Sequence, residues 1–181
     1  PERVERMLLP VGDYRKQEIR GLAAALGLRV ADKRDSQEIC FIAPGQHAQF
    51  VSARRGQRDT TGRLITSDGR VVGQHTGVER FTIGQRKGLG VAMGEPYFVL
   101  RIDPETHDVV IGRHEELARQ RLTASQANWL TNLPGEPFRC QAKIRYNTPP
   151  AEATAQRVAG DRLEIVFDSP CFGVAPGQAV V

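Results

Sequence analysis

From Gly56 onward the helical period disappears and short β-rich runs follow, separated by turn signals at the spacing of a small barrel or sandwich. This confines most of the chain to an all-β or α+β design. Arg63 to Thr66 and Arg70 to Gly73 flank Ser67-Asp68-Gly69, and Tyr97 to Ile102 and Val109 to Gly112 flank Asp103-Pro104-Glu105, so both pairs are predicted hairpins. Further strands are predicted at Arg121 to Ala124, Phe138 to Arg145, Glu152 to Val158, Arg162 to Phe167 and Gln178 to Val181. Leu163, Ile165 and Phe167 alternate cleanly, as one face of a half-buried strand does. The charged stretch from Arg113 to Arg121 is the expected domain boundary. The predicted fold is an α+β central domain over residues 1–113, carrying Cys40, followed by an all-β small barrel over residues 114–181.

Helical signals are confined to the first part. Gly12 to Gly27 reads as an amphipathic helix with Asp13 as N-cap, Ile19, Leu22, Ala23 and Leu26 on one face, and Gly27 just past its end. A short apolar patch, Ile39-Cys40-Phe41-Ile42, closes on Pro44-Gly45 and precedes a second short helix over Gln46 to Arg54.

The chain has 181 residues, enough for one large domain or two small ones. No apolar run approaches the roughly 18 residues of a membrane-spanning helix, so no membrane association is expected. Pro1 to Arg6 carries charges and no apolar stretch, so no secretory signal is predicted there. Three cysteines, Cys40, Cys140 and Cys171, form no Cys-x-x-Cys pair and leave an odd thiol. That pattern argues against a zinc site and a secreted disulfide framework, and a reducing cytoplasm is the expected compartment. Net charge is +4, and 21 of the 25 basic residues are Arg, the planar donor suited to phosphate; the alternative is a bias of genome composition.

Cys40 follows the basic pair Lys33-Arg34, which favours a thiolate, but its immediate neighbours are apolar, which favours an inert buried thiol. Cys140 and Cys171 lie in strand-like context and read as structural. Thr82 to Gly90 is a glycine-rich basic loop that fits either an anion site or a tight turn, and it matches no nucleotide-binding pattern. His114-Glu115-Glu116 lacks a second histidine, and His47, His75 and His107 are scattered, so no metal is predicted. Lys143-Ile144-Arg145-Tyr146-Asn147 places two cations and an aromatic at a strand end, suited to gripping a phosphate and stacking on a base, or equally to a solvated strand end.

Taken together, Leu9-Pro10-Val11-Gly12, Lys33 to Ser36 with Ile39 to Ile42, Thr82 to Gly90, Lys143 to Tyr146 and Pro176-Gly177-Gln178 resemble the tRNA-specific 2-thiouridylase (MnmA) family over nearly the whole chain. The resemblance implies formation of 2-thiouridine at the wobble position of tRNA. In the family ATP adenylates the uridine C2 oxygen, and a cysteine persulfide, loaded by a cysteine desulfurase or sulfur relay protein, displaces it. Cys40 resembles that persulfide cysteine. Arg145, Tyr146 and Gln178 resemble the family's tRNA contacts. Arg86 and Lys87 are added on charge alone. The family's Ser-Gly-Gly-x-Asp-Ser pyrophosphatase loop, and the second cysteine that forms a disulfide with the first, do not occur in this sequence. ATP is therefore expected to bind the family's N-terminal domain, and the chain is expected to be a central and C-terminal fragment, inactive alone, its barrel continuing beyond Val181. The competing expectation is a non-catalytic RNA-binding barrel with an inert Cys40.

Overall fold

The computed structural model describes residues 5–33, 42, 47–56, 58–130, 135 and 137–181. Two compact units result, one comprising Pro1–Gly45 with Trp129–Asn132 and the other Gln46–Asn128 with Leu133–Val181.

The first unit carries helix α1, Lys16–Ala25. Its N-cap is Arg15, whose backbone N–H donates to Glu18 Oε2 at 2.6 Å. The predicted cap at Asp13 is therefore displaced. Gly12 donates to Leu9 O and Tyr14 to Val11 O, so residues around Asp13 are spent in a turn before the helix starts. The other end follows the prediction. Gly27 takes φ 65° while its N–H bonds Ala24 O and that of Leu28 bonds Ala23 O, the paired closure that a glycine at C′ permits.

The second unit begins with α2, His47–Arg55, close to the predicted span. Strands β1 (Gly62–Thr66), β2 (Val71–His75), β3 (Phe98–Ile102) and β4 (Val109–Gly112) form a sheet in the order β2-β1-β4-β3. Both predicted hairpins are present and antiparallel, and β1 pairs β4 in parallel through Leu64–Val109 to Thr66–Ile111. Each turn has its own chemistry. Gly69 adopts φ 89° in the first, and in the second Asp103 Oδ1 accepts the N–H groups of Glu105 and Thr106. The core of this sheet is Leu64, Phe81, Leu89, Val99, Val109 and Ile111, its four strand residues 0–1% exposed. At about 25 cal/mol per Å² of apolar surface, each such side chain contributes roughly 1.5–3 kcal/mol by burial.

The charged stretch after Gly112 folds as a single 3₁₀ turn, His114–Leu117, and runs directly into β5, Ala118–Ala124. With β6 (Phe138–Ala142), β7 (Ala151–Arg157) and β8 (Leu163–Phe172), β5 forms an antiparallel sheet in the order β5-β8-β7-β6. Leu163, Ile165 and Phe167 point into its core with Ala153 and Ala155, as their alternation predicts. The β5–β8 register breaks between Arg119, opposite Cys171, and Arg121, opposite Val166. Pro170 lies in the looped-out stretch, where it has no N–H to give to a ladder. The predicted strand at Gln178 to Val181 does not form; only Val181 pairs, with Lys143, at 2.6 and 2.9 Å. The α+β part followed by an all-β part is the expected fold class.

Candidate functional site

Cys40, with residues 34–41, lies outside the described residues. The other sequence-derived candidates all fall in the second unit.

Beyond β6 the backbone stays extended. Lys143 exchanges both hydrogen bonds with Val181, and Ile144 buries its side chain. The chain then turns: Thr148 bonds Arg145 O through both its N–H, at 3.2 Å, and its hydroxyl, at 2.9 Å. That turn pushes Tyr146 into solvent, where it is 83% exposed, and leaves Lys143 Nζ 5.6 Å from the centre of its ring. An exposed ring with an ammonium group over it is an aromatic surface suited to base stacking with a cation close by.

Gln178 ends a second turn, opened by Gly177 at φ 79° and closed by its N–H on Ala175 O. Val181, three residues after Gln178, pairs with Lys143, three residues before Tyr146. Gln178 also lines a cavity of about 460 Å³ with Ile144, Ile83, Arg119 and Arg121.

Arg145 does not share the exposure of its neighbour. Its Nη2 donates to Ile83 O at 2.7 Å and its Nε to Gly173 O at 2.9 Å. Nothing in the local sequence marks these acceptors, which lie 62 and 28 residues away.

In the glycine-rich loop, Thr82 N–H donates to Gln85 Oε1, Gln85 N–H to Thr82 O, and Gly84 N–H to Val99 O. With those amides given to internal acceptors, the first half of the loop is a tight turn. Arg86 and Lys87 stand exposed on it.

Cys140, Cys171 and His75 have surroundings that suit structural roles. Burial pushes Cys140 and Cys171 upward, away from thiolate formation, and Arg139 only partly offsets this at Cys140. His75 Nδ1 accepts Gly77 N–H, which places the ring proton on Nε2, facing His107 O at 2.9 Å. Among the described residues no cluster of three His, Cys, Asp or Glu side chains is arranged to hold a metal, and no helix is long and apolar enough to cross a membrane.

Three family models cover most of the chain. Residues 1–44 match the tRNA methyl transferase HUP domain, residues 48–113 the tRNA methyl transferase PRC-barrel domain, and residues 119–181 the aminomethyltransferase beta-barrel domain. The chain is 51% identical over its full length to a tRNA-specific 2-thiouridylase MnmA of Rhodopirellula baltica, covering 47% of that protein. It is 46% identical over 98% of its length to the protein of the same name from Carboxydothermus hydrogenoformans, covering 49% of it. For that of Moorella thermoacetica the values are 45%, 99% and 51%. The chain thus spans about half the length of these curated relatives, and it belongs to the tRNA-specific 2-thiouridylase family.

Proposed function

We propose that this chain is the sulfur-carrying and tRNA-binding part of a tRNA-uridine 2-sulfurtransferase that makes 2-thiouridine at the wobble position. The observation that carries the reading is the end-to-end match, at 45–51% identity, to relatives named for that activity. Cys40 is the residue that holds the sulfur. As a persulfide, loaded by a cysteine desulfurase or a sulfur relay protein, it presents its terminal sulfur to uridine C2 once the oxygen there has been made a leaving group. The glycine-rich loop does not fit an ATP site, since it spends its first amides internally and matches no nucleotide-binding pattern. ATP activation is accordingly assigned to the family's pyrophosphatase loop, which this sequence lacks.

The tRNA-facing surface consists of Tyr146 and Gln178, on segments joined by the Lys143–Val181 pair, with Arg145 at its base and Arg86 and Lys87 on the neighbouring loop. Residues 1–113, with Cys40, form the sulfur-carrying division and residues 114–181, with Tyr146 and Gln178, the main tRNA-binding one, Arg86 and Lys87 adding to that surface from the first.

Whole-protein mass spectrometry after incubation with a cysteine desulfurase and cysteine tests the central claim. A gain of one sulfur in the wild-type chain, absent in Cys40→Ser, is the expected result. A full-length relative carrying the same substitution that still thiolates tRNA overturns it, and leaves an RNA-binding module with an inert Cys40.

A further inference from the structure

The guanidinium of Arg145 sits where three segments meet. Ile83, which takes one hydrogen bond, opens the glycine-rich loop; Gly173, which takes the other, follows the end of β8; and Arg145 itself begins the turn that presents Tyr146. Two glycines turn the backbone at this junction through the left-handed region, which favours glycine. Gly84 and Gly173 adopt φ 83° and 78°, and a Cβ added to Gly173 would lie 3.5 Å from Arg145 Nη2. A Cβ on Gly84 would meet Gly173 Cα at 3.8 Å, so the two backbones face each other with no side chain of their own between them. On its other side the loop is fixed to β3, by Gly84 N–H on Val99 O at 2.7 Å and Val99 N–H on Gln85 O at 2.9 Å.

We infer that Arg145 is a positioning residue: a clamp that holds the loop bearing Arg86 and Lys87 against the turn bearing Tyr146, and so acts on RNA through them. A planar guanidinium suits this task because its rigid fork holds the Nε and Nη2 donors in fixed relation, one for each of two carbonyls on separate segments, whereas a lysine offers a compact point charge on a flexible stem. The role differs from that of Tyr146 next to it, which the same turn turns outward. The RNA half of the inference rests on the tRNA-binding reading above, while the clamp is testable without RNA.

The experiment uses the 181-residue chain as wild type, Arg145→Ala and Arg145→Lys. Amide hydrogen exchange at Gly84 and Gln85 is followed first, in the absence of RNA. Affinity for an in vitro tRNA transcript is then measured at fixed salt. A clamp predicts faster exchange at both amides in both variants, and a several-fold weaker tRNA complex in both. It also predicts that Arg145→Lys, which keeps the charge but not the planar fork, does not restore the affinity. Unchanged exchange in both variants overturns the clamp. So does full recovery of affinity in Arg145→Lys, the signature of a charge acting on a phosphate alone. Should the wild-type chain bind no tRNA, the tRNA-binding reading fails and the exchange data alone decide the clamp. Arg145→Lys, which keeps the charge and most of the side-chain volume, carries the test if Arg145→Ala does not fold.

Discussion

His114 lies nearly flat on Phe172, with ring centroids 4.4 Å apart and planes 17° apart, while Phe98 meets the same imidazole edge-on, with centroids 5.2 Å apart. Phe98 opens β3 in the first sheet and Phe172 ends β8 in the second, so one imidazole on the 3₁₀ turn joins the two sheets. Together with the Arg145 hydrogen bonds it makes the second junction between them.

Replacing His114 by Ala removes both ring contacts. Aromatic pairs contribute about 0.5–1.5 kcal/mol each beyond their buried area, so a loss of roughly 1–2 kcal/mol is expected, allowing for the turn's exposure to solvent. His114→Phe keeps the stack and is expected to retain most of the stability. Thermal unfolding of the three proteins checks this, and equal midpoints for wild type and His114→Ala would contradict it.

Asp108 precedes β4 and takes a two-pronged contact from Arg63 of β1, with Nε at 2.9 Å and Nη2 at 2.7 Å. These hydrogen bonds, more than the charge itself, hold the Asp108 carboxyl below the usual carboxylate range against the opposing effect of burial. A folded-state pKa below the unfolded value stabilises the fold fully above the unfolded value, about 3.9, and the contribution is lost as pH falls through the folded value. Asp168, held down by Arg139, acts in the same direction. Asp108→Asn is expected to lower the urea midpoint at neutral pH and to flatten its decline in acid. An acid limb as steep as that of the wild type would show that this pair is not linked to folding.

Cys140 and Cys171 sit half-buried on β6 and β8, and burial raises the pKa of both thiols. Because only the thiolate is alkylated, both are expected to react slowly at neutral pH, with a rate profile displaced above that of a free cysteine at about 8.5. Peptide mapping after timed iodoacetamide treatment gives each site separately. Rapid neutral labelling of either would contradict the shift that burial imposes.

Local chemistry accounts for what was readable in advance. Ser67-Asp68-Gly69 and Asp103-Pro104-Glu105 supply the left-handed glycine and the aspartate acceptor that close the two hairpins, and Gly27 supplies the helix stop. Leu163, Ile165 and Phe167 announce a buried face by spacing alone. Nonlocal pairing was not readable. The parallel β1–β4 contact, the single Lys143–Val181 pair and the two carbonyls held by Arg145 depend on residues far apart in sequence. Asp13 misled for a different reason: its residue type suits an N-cap, but the turn from Leu9 to Tyr14 uses that stretch before helical geometry begins. Within the candidate site, an exposed Tyr146 agrees with a pattern of cations and an aromatic at a strand end, whereas nothing in that pattern separates Arg145 from its neighbour.

That separation gives the last prediction. Tyr146 is exposed and contributes little to the core, so Tyr146→Ala is expected to leave the unfolding midpoint nearly unchanged. If its ring stacks on a base, with Lys143 Nζ at the ring, its loss removes about 1–3 kcal/mol of binding, roughly a five- to hundredfold rise in Kd for a tRNA transcript. The slope of affinity against salt is expected to stay constant, since stacking releases no counterions. Lys143→Ala is expected to do the reverse, a smaller loss of affinity accompanied by a shallower slope if the ammonium also meets a phosphate. Tyr146→Phe separates ring from hydroxyl: retention of affinity identifies stacking as the source, and a loss equal to that of Tyr146→Ala would assign the contact to the hydroxyl instead.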